Sequence, residues 1–534
     1  MDEGILRIVA SVVTACLLCF STLKLLGGMQ QGGYKNGVFW RWITRKDNLL
    51  FNRLCVLSLC LTLASAVGAL CFSFLGQKSA LLIASIPFFA LLLLYAFADS
   101  RYALKVPVKY TGRVARLLAV YWFITATVGY ALIATLHTFA ALHGGNLYGL
   151  MQYVPIGILP AFSPFFLMLA NLITGVFEEL RNENFVKRAG QVLNEQEIIR
   201  IGVVGSYGKT SVKYILQTLL SEKYEVVATP ESFNTPMGIA KTVFSPDFKG
   251  KQIFIAEMGA RKKGDIAQLC AMVKPDYAVF TGICEQHVQG FGSLENVWAE
   301  KSEILKCGAQ MVICGKSLLP WLEKDFPQSL GNEILVEKSA GEAHFGAIAT
   351  AFEVNIYGQK LSVKTSLLGE AAVENIKLAV RLCLELGLTA EDIVRGIEKL
   401  KPVPHRLQLI ENNGVYILDD GYNCNPRSAR EAIEALKRFG GRKCIVTPGI
   451  VECGVLEEKI NGELGEEIAK ADFDKVIFVG ETLVNVVKRG YDAAGGSAEK
   501  CVKAKSLDDA KKQLSTWLQT GDAVLFLNDL PDVY

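Results

Sequence analysis

The sequence predicts a multidomain chain, in which an all-α transmembrane bundle of about five spans precedes a P-loop α/β central domain and a C-terminal Rossmann-like α/β domain. Three observations predict this order. Apolar residues are concentrated before about residue 177. Beyond that point, strand patterns alternate with helical patterns, as they do in parallel sheets covered by helices. The glycine-rich segment GSYGKTS stands at 205–211, between an apolar run and a helical pattern.

Five apolar segments are candidate spans, because each is long enough to cross about 30 Å of hydrocarbon. They occupy residues 5–26, 54–75, 80–98, 117–142 and 150–176. The first begins just after Asp2 and Glu3 and has no small-residue cleavage site, so we predict an anchor rather than a signal peptide. Pro155, Pro160 and Pro164 interrupt the last span, which indicates either a kinked helix or a groove for lipid or substrate.

Lysine and arginine residues predict the orientation of these spans. The connections at 27–53 and 99–116 each hold several of them, whereas the two short connections hold only Lys78. Basic connections stay in the cytoplasm, so the N-terminus is predicted to lie outside and everything after residue 177 inside. The chain is then a multi-pass protein of the cytoplasmic membrane. No acidic or histidine relay lies mid-span, which argues against an ion pump.

Charge and cysteine usage exclude other functions. The net charge is +3, and no long basic run or basic patch with interleaved aromatic residues predicts a nucleic-acid partner. The 14 cysteines are scattered without the spacing of a metal site. A reducing cytosol around the C-terminal part is the simplest interpretation.

Composition divides the chain into four parts. We predict a transmembrane helical domain at 1–177, a polar linker helix at 178–197, a central domain at 198–402 and a C-terminal domain at 403–534. Residues 352–368 alternate around a Tyr357-Gly358 turn, which predicts an antiparallel hairpin attached to the sheet of the central domain.

The GSYGKTS segment has the chemistry of a phosphate-binding loop. Its small residues are Gly205, Ser206 and Gly208. They let backbone N–H groups converge on phosphate oxygens, and the N-terminus of the following helix adds partial positive charge. Lys209 would sit between the β- and γ-phosphates, and Thr210 or Ser211 would offer a hydroxyl to Mg²⁺.

Two further residues follow strand patterns at the predicted edge of the same sheet. Glu257 ends the run IFIAE, and a carboxylate beside a phosphate loop is well placed for Mg²⁺. His287 follows the strand pattern YAVF at 277–280, at the kind of edge where open α/β sheets bind their ligands.

Six separated motifs resemble those of the Mur ligase family, the ATP-dependent amide ligases of bacterial cell-wall synthesis. They are GSYGKTS, ESFNTPMGI (231–239), AEMGA (256–260), EQHVQGFGSLENVWAEKSEI (285–304), PVPHRLQ (402–408) and DDGYNCNP (419–426). The last is most similar to the branch that adds D-alanyl-D-alanine to a muramoyl tripeptide. The resemblance covers residues 200–534 and implies an ATP-binding central domain followed by the family's C-terminal domain.

The resemblance implies roles for residues at the sheet edge. Lys209 and Thr210 would hold the nucleotide phosphates and one Mg²⁺, Glu257 would bind the same ion, and His287 would help to hold a second. Lys301 matches a lysine that family members carry as a carbamate, which replaces an ammonium by anionic oxygen ligands for Mg²⁺. The candidate catalytic residues are therefore Lys209, His287 and Lys301.

Further matches imply contacts with nucleotide and substrate. Asn375 matches an adenine-side asparagine, Arg406 an interdomain arginine that meets the phosphates, and Asp420 the ribose-binding acid. The candidate substrate-binding residues are Asn234, Thr235, Tyr422 and Asn423.

The sequence also departs from the family pattern. Family members often have Gly-x-His-Asn before the second asparagine, where this chain reads GEAAVEN at 369–375, without the histidine and the first asparagine. The soluble domain that grips the UDP moiety is missing as well, and apolar spans occupy its place.

The resemblance implies ligation by acyl activation, in which a carboxylate takes the γ-phosphoryl group of ATP and an amino acid or dipeptide amine then displaces phosphate. The replaced domain motivates the hypothesis of a membrane-linked acceptor, such as a polyprenyl-bound muropeptide. Two alternatives stay open: a membrane-bound ligase of the poly-γ-glutamate type and a ligase-like scaffold without activity. A P-loop transporter would require coupling motifs and acidic residues within spans, and the sequence has neither.

Overall fold

The chain divides into two compact units, with the boundary between Asn182 and Glu183. The computed structural model describes residues 3–45, 48–71, 86, 88–95, 107–143, 151–284, 288–338, 342–422, 424–451, 453–480 and 483–528.

The first unit is built from helices. They are α1 (Glu3–Ser21), α2 (Leu23–Gln31), α3 (Asn36–Ile43), α4 (Leu50–Cys71), α5 (Gly112–His143) and α6 (Leu159–Glu195), which follows a 3₁₀ segment at Met151–Ile158. Among the described residues, the stretches long and apolar enough to cross a membrane are Gly4–Ser21, Leu50–Gly68, Gly112–Phe139 and Val154–Glu195. They correspond to four of the five predicted spans. Most of the remaining one, 80–98, lies outside the described residues, and its residues 88–95 are helical.

Two details of this unit differ from the sequence-based prediction. The first predicted span, 5–26, is divided, because α1 ends at Ser21 and α2 starts at Leu23. The predicted linker helix at 178–197 is no separate element, since α6 continues unbroken to Glu195. The polar segment contains no proline and is rich in good helix formers, so nothing in it ends the preceding helix.

Apolar side chains in this unit point both inwards and outwards. Leu25, Leu54, Leu117 and Tyr121 belong to a fully buried core. Large apolar side chains are also exposed on each of the four long helices. Examples are Phe20, Leu59, Phe123 and Phe177. An exposed apolar surface of this extent is typical of a surface that interacts with a membrane or with another protein.

The second unit begins with a six-stranded parallel sheet in the order β2-β3-β1-β4-β5-β6. Its strands are β1 (Ile199–Val204), β2 (Val226–Ala228), β3 (Ile253–Glu257), β4 (Tyr277–Phe280), β5 (Met311–Gly315) and β6 (Ile334–Glu337). Val203 pairs with Glu257 and Val204 with Phe280, so β1, β3 and β4 end together at one edge. Each strand of this parallel sheet is buried on both faces, which explains the continuous apolar runs in the sequence.

Helices cover both faces of this sheet. They are α7 (Lys209–Leu220), α8 (Pro236–Val243), α9 (Asp265–Val273), α10 (Val288–Phe291), α11 (Leu294–Lys301), α12 (Leu319–Asp325), α13 (Glu370–Glu385) and α14 (Ala390–Glu398). One buried core joins the sheet to α7, α13 and α14, and the other joins it to α8, α9 and the end of α6.

The predicted hairpin at 352–368 is confirmed, and it is attached to the first sheet by packing into the same core, without pairing with any strand of that sheet among the described residues. β7 (Ala343–Phe345), β8 (Thr350–Ile356) and β9 (Gln359–Thr365) form a separate antiparallel sheet. Phe352, Val354 and Ile356 point from one face of β8 into the core that includes α13. The hairpin thus packs by its face, and alternation along one strand cannot distinguish face packing from edge pairing.

A second six-stranded sheet has the order β10-β11-β15-β12-β13-β14, with only β10 antiparallel to its neighbour. Its strands are β10 (Gln408–Asn412), β11 (Val415–Asp420), β12 (Lys443–Thr447), β13 (Lys475–Val479), β14 (Cys501–Ala504) and β15 (Ala523–Leu527). Its helices are α15 (Pro426–Lys437), α16 (Glu457–Ala471), α17 (Val484–Ala493) and α18 (Leu507–Ser515). This doubly wound arrangement agrees with the predicted Rossmann-like fold.

Candidate active site

The phosphate loop connects the end of β1 to the start of α7. Gly208 has φ 73° and precedes Lys209, the first residue of α7. A Cβ atom at Gly205 would lie 1.9 Å from Oγ1 of Thr281, so only glycine allows the loop to approach β4 this closely. The Ser206 N–H donates to the carbonyl of Gly282 at 2.8 Å. The hydroxyl of Ser206 is buried and has no hydrogen-bond partner among the described residues, as expected of a group that faces a ligand.

Two lysine amines meet at the first carbonyl of this loop. The Nζ atoms of Lys209 and Lys301 donate to the carbonyl oxygen of Gly205 at 2.9 and 3.1 Å. Burial lowers the pKa of Lys209. Burial, and then the positive charge of Lys209, lower the pKa of Lys301 to about 7. A lysine amine that loses its proton near neutral pH can act as a nucleophile towards CO₂.

Glu257 lies at the end of β3 with only 1% of its surface exposed. The Nδ2 atom of Asn234 donates to its Oε1 at 3.3 Å. The ammonium of Lys213, which is fully buried, lies 3.2 Å from its Oε2 and donates to the backbone carbonyl of Glu231. The structure therefore holds this carboxylate with one amide and one cation.

Lys213 was missed by the sequence analysis. It stands four residues after Lys209 on α7, and residues at this spacing share one helix face. That spacing was the available signal, although a lysine on a helix is usually solvated. Its buried position shows that the face of α7 towards β3 is charged.

The residues at this edge fit a cation. Glu257 and the hydroxyl of Thr210 are oxygen ligands of the type that Mg²⁺ prefers. No group of three or more His, Cys, Asp or Glu side chains suited to a metal occurs among the described residues. His287, the other predicted ligand, lies outside them. The predicted set of metal ligands therefore stays a prediction.

Three other predicted residues of the central domain lie at separate places. A Cβ atom at Gly208 would be 2.7 Å from Oδ1 of Asn375, which puts this asparagine beside the phosphate loop. Thr235 caps α8, accepting a hydrogen bond from the N–H of Gly238. Ser211 lies in the first turn of α7.

The C-terminal α/β domain contributes a cluster of predicted residues near its start. Arg406 donates to the carbonyl of Tyr422 at 2.7 Å and stacks on its ring. Asp420 accepts from the N–H of Leu407 at 3.0 Å, while its other oxygen is buried without a partner among the described residues. Burial raises the pKa of Asp420 to about 6. The charge of Arg406 also contributes to the lowered pKa of Lys209, and Asn423 lies outside the described residues.

An arginine bridge between the two α/β domains was also missed by the sequence analysis. Arg427, in the first turn of α15, donates to the hydroxyl of Tyr207 in the phosphate loop at 2.9 Å. It also pairs with Glu374 on α13 at 2.5 Å and with Glu431 at 3.4 Å. Glu431 in turn accepts from the N–H of Ala371 at 3.2 Å. These contacts tie α15 to the loop and to the start of α13.

We call the arrangement in which Arg427 joins the two α/β domains closed, and one in which the domains are separated open. Replacing Arg427 by alanine removes this bridge and should favour the open arrangement. Hydrogen bonds to charged groups contribute about 1.5–3 kcal/mol, so we expect the closed-to-open ratio to fall about tenfold. Single-molecule energy transfer between dyes on the two domains measures this ratio. Arg430→Ala is the matched control, because Arg430 is on the same helix but pairs with Glu467 of its own domain. Equal ratios in the two variants would contradict the bridge.

Glu431 should make domain closure depend on pH. Burial raises the pKa of Glu431 to about 7, despite the opposing charge of Arg427. When the domains separate, water reaches the carboxyl group and its pKa returns towards its ordinary range, so closure takes up a proton. The closed fraction should therefore be larger at pH 6 than at pH 8, and Glu431→Gln should abolish this difference. An unchanged pH dependence in the variant would exclude Glu431 as its source.

Comparison with known proteins identifies the class to which this fold and site belong. The family model of the Mur ligase middle domain matches residues 203–383, and that of the Mur ligase glutamate ligase domain matches residues 405–528. The chain belongs to the Mur ligase family.

Individual relatives show which members of the family this chain is similar to. The UDP-N-acetylmuramoyl-tripeptide–D-alanyl-D-alanine ligase of Bacillus subtilis is 31% identical over 289 residues, which are 53% of this chain and 62% of that protein. The ligase of the same name from Escherichia coli is 28% identical over 53% of this chain and 64% of its own length. The chain thus spans less than two thirds of these relatives. A MurF ligase from Thermotoga maritima, solved in complex with ADP, has a TM-score of 0.58 and 29% identity, covering 66% of this chain and 81% of that one.

Proposed function

We propose that this chain is an ATP-dependent amide ligase of the bacterial cytoplasmic membrane, which activates the carboxylate of a membrane-linked muropeptide as an acyl phosphate. The observation that carries this proposal is the meeting of Lys209, Glu257 and Lys301 at one edge of the first sheet. Lys209 and Lys301 share one loop carbonyl, and Glu257 ends the neighbouring strand. The ADP-bound relative supports a nucleotide at this edge.

The loop and its lysine would bind the phosphates of ATP. Backbone N–H groups at the start of α7 would donate to an anion, and Lys209 would add a full positive charge. Burial lowers the pKa of this lysine, and anionic phosphate oxygens beside it would favour the charged form again. Asn375 beside the loop and Asp420 of the second domain would hold the nucleoside part.

Mg²⁺, when bound, would offset negative charge on the phosphoryl group in transfer. Thr210 and Glu257 would hold it, and a carbamate on Lys301 would supply further anionic oxygens. Asn234 and Lys213 keep the Glu257 carboxylate in position, as their contacts with its two oxygens indicate. Thr235, Tyr422 and the predicted Asn423 would contact the acceptor or the amine.

The reaction then has two steps. A carboxylate oxygen of the acceptor attacks the γ-phosphorus of ATP, the bond to the bridging oxygen breaks, and ADP leaves. An amine nitrogen next attacks the acyl carbon, the carbon–oxygen bond to phosphate breaks, and the nitrogen loses a proton. This chain's contribution is to position the groups and to hold charge, which accounts for much of catalysis in phosphoryl transfer.

The apolar unit supports a lipid-linked acceptor. The family match starts at residue 203, whereas the described residues up to Asn182 include helices that are long and apolar enough to span a membrane and that expose large apolar side chains. Basic residues in the connections at 27–53 and 99–116 favour a cytoplasmic location of everything after the last span. An enzyme held in this way would meet an acceptor anchored in the same leaflet.

A comparison of acceptors tests the proposal. The full chain in lipid nanodiscs would receive ATP, Mg²⁺, D-alanyl-D-alanine and a muramoyl tripeptide linked either to UDP or to polyprenyl diphosphate. We expect ligation of both, with kcat/KM at least about tenfold higher for the lipid-linked form, which corresponds to 1.4 kcal/mol. A full rate with the UDP form and none with the lipid form would overturn the membrane-linked acceptor. No phosphate release with either acceptor, or with γ-linked glutamate chains, would indicate a scaffold.

A further inference from the structure

Five polar residues lie together at one end of the apolar unit, and we name them the arginine cluster: Tyr34, Arg113, Arg116, Asn171 and Glu178. The guanidinium of Arg113 lies 3.7 Å above the ring of Tyr34. The Nδ2 atom of Asn171 donates to the carbonyl of Tyr34 at 2.9 Å. Two turns along α6, Glu178 accepts from Nε of Arg116 at 2.5 Å, and Arg116 lies one turn from Arg113 on α5.

Several polar atoms of the arginine cluster have no hydrogen-bond partner in the part of the chain that the structure describes. Nε of Arg113 and Nη2 of Arg116 are buried and have no hydrogen-bond partner among the described residues, and the same holds for Oδ1 of Asn171. Asn171 itself is only 6% exposed. Buried polar groups are nearly always satisfied, so two donors and one acceptor within one cluster indicate that a ligand or water completes it.

The cluster carries excess positive charge. Among the described contacts, Glu178 is the one carboxylate beside these arginines: Arg116 donates to it, Arg181 lies 3.7 Å from it, and Arg113 is one turn from Arg116 on α5. The other acids of this part of α6, Glu179 and Glu183, are exposed. The N-terminus of α5 adds partial positive charge at Gly112, where a cation is disfavoured and an anion is favoured.

The position of the cluster matches the headgroup level of a bilayer. Arg113 and Arg116 lie at the start of the apolar stretch Gly112–Phe139, and Glu178 is the first acid after the apolar part of α6. The connection at 99–116 is basic, which favours the cytoplasmic side for this end. Tyr34 has a φ of 59°, a strained conformation for a residue other than glycine. Such strain is retained mainly where function requires it.

We propose that the arginine cluster binds the diphosphate group of a polyprenyl-diphosphate-linked sugar, an inference that rests on the lipid-linked acceptor proposed above. The planar guanidinium group matches the spacing of phosphate oxygens. Two neighbouring arginines therefore fit a diphosphate better than a monophosphate. The Oδ1 atom of Asn171, which accepts no hydrogen bond from any described residue, would accept one from a sugar hydroxyl next to the diphosphate. The exposed apolar side chains of α5 and α6 provide a surface for the polyprenyl chain.

Binding of polyprenyl diphosphate itself, without sugar or peptide, tests this site independently of catalysis. The full chain in nanodiscs would be titrated with polyprenyl diphosphate, polyprenyl monophosphate and phosphatidylglycerol, and bound lipid would be counted by native mass spectrometry. We expect the diphosphate to bind at least about tenfold more tightly than the other two lipids. Inorganic pyrophosphate should compete, and inorganic phosphate should compete less. Equal binding of all three lipids would show a general anionic surface and would overturn the proposal.

Arg113→Gln is the decisive variant, because Arg113 stacks on a ring but pairs with no carboxylate among the described contacts, so its loss leaves no buried charge alone. We expect it to weaken diphosphate binding at least about tenfold. Arg41→Gln, on the exposed side of α3, is the matched control and should change binding less than twofold. Unchanged binding in Arg113→Gln would overturn the site. If the chain ligates the lipid-linked tripeptide but Arg113→Gln binds diphosphate normally, the proposed function stands and the diphosphate site is refuted. If the chain binds diphosphate selectively but ligates nothing, the site stands and the proposed function is refuted.

Discussion

Replacing Lys209 by alanine is expected to lower ATP-dependent phosphate release by about 10²–10³-fold, the usual effect of removing one group that stabilises charge in a transition state. The ammonium of Lys209 lies at the Gly205 carbonyl, where the phosphate loop opens. Without it, the transferring phosphoryl group would lose the positive charge that we propose beside it. Release of inorganic phosphate by the full chain in nanodiscs, with acceptor and amine present, measures the effect.

Two comparisons make the Lys209 result specific. Lys251→Ala removes a lysine of the same domain that pairs at the surface with Glu225, and it should leave the rate unchanged. Lys209→Ala also removes the positive neighbour of Lys301, so the pKa of Lys301 should rise. A Lys209→Ala variant that keeps more than a tenth of the rate would show that the loop does not hold the reacting phosphates.

Replacing Glu257 by glutamine should raise the Mg²⁺ concentration needed for half-maximal activity on the order of 10²-fold, since even indirect supports of a metal site contribute 10–100-fold. Glutamine keeps the size of the side chain and removes its charge. The ammonium of Lys213 then remains buried without its counter-charge. Loss of one partner of a buried pair costs about 3–5 kcal/mol, so stability must be measured beside activity.

A double variant separates these two effects of Glu257. In Lys213→Met/Glu257→Gln, the buried cation is removed together with the carboxylate, so the thermal stability lost in the single variant should largely return. Its Mg²⁺ requirement should stay as high as in Glu257→Gln. Glu225→Gln, at the opposite end of the sheet, is the control for charge removal. If the double variant regained the normal Mg²⁺ requirement, Glu257 would be a structural residue only.

The parts of the molecule predictable from sequence are those fixed by local pattern. The glycines of 205–208 follow an apolar strand and precede a helical pattern, so the loop at Lys209 was predictable from neighbours alone. Glu257 was predictable as an edge residue for the same reason, since it ends a continuous apolar run. The apolar helices likewise need only length and composition to be recognised.

The parts that were missed depend on contacts between distant segments. Arg427 meets Tyr207 across 220 positions of sequence, and no local pattern encodes that pairing. In the sequence, Lys213 has the pattern of a solvated helix lysine. Only the packing of α7 against β3 shows that it is buried beside Glu257. The hairpin at 352–368 was recognised by its alternation, but its neighbour could not be, because a strand's pattern shows which face is buried and not what buries it.

The central claim is that the site forms an acyl phosphate from an acceptor carboxylate and ATP. The most direct measurement uses a muramoyl tripeptide whose reacting carboxylate is labelled with ¹⁸O, ligated by the full chain in nanodiscs with ATP and D-alanyl-D-alanine. Attack of a carboxylate oxygen on the γ-phosphorus predicts one labelled oxygen in each phosphate released, detected by mass spectrometry. Ligation that releases unlabelled phosphate would contradict the acyl phosphate.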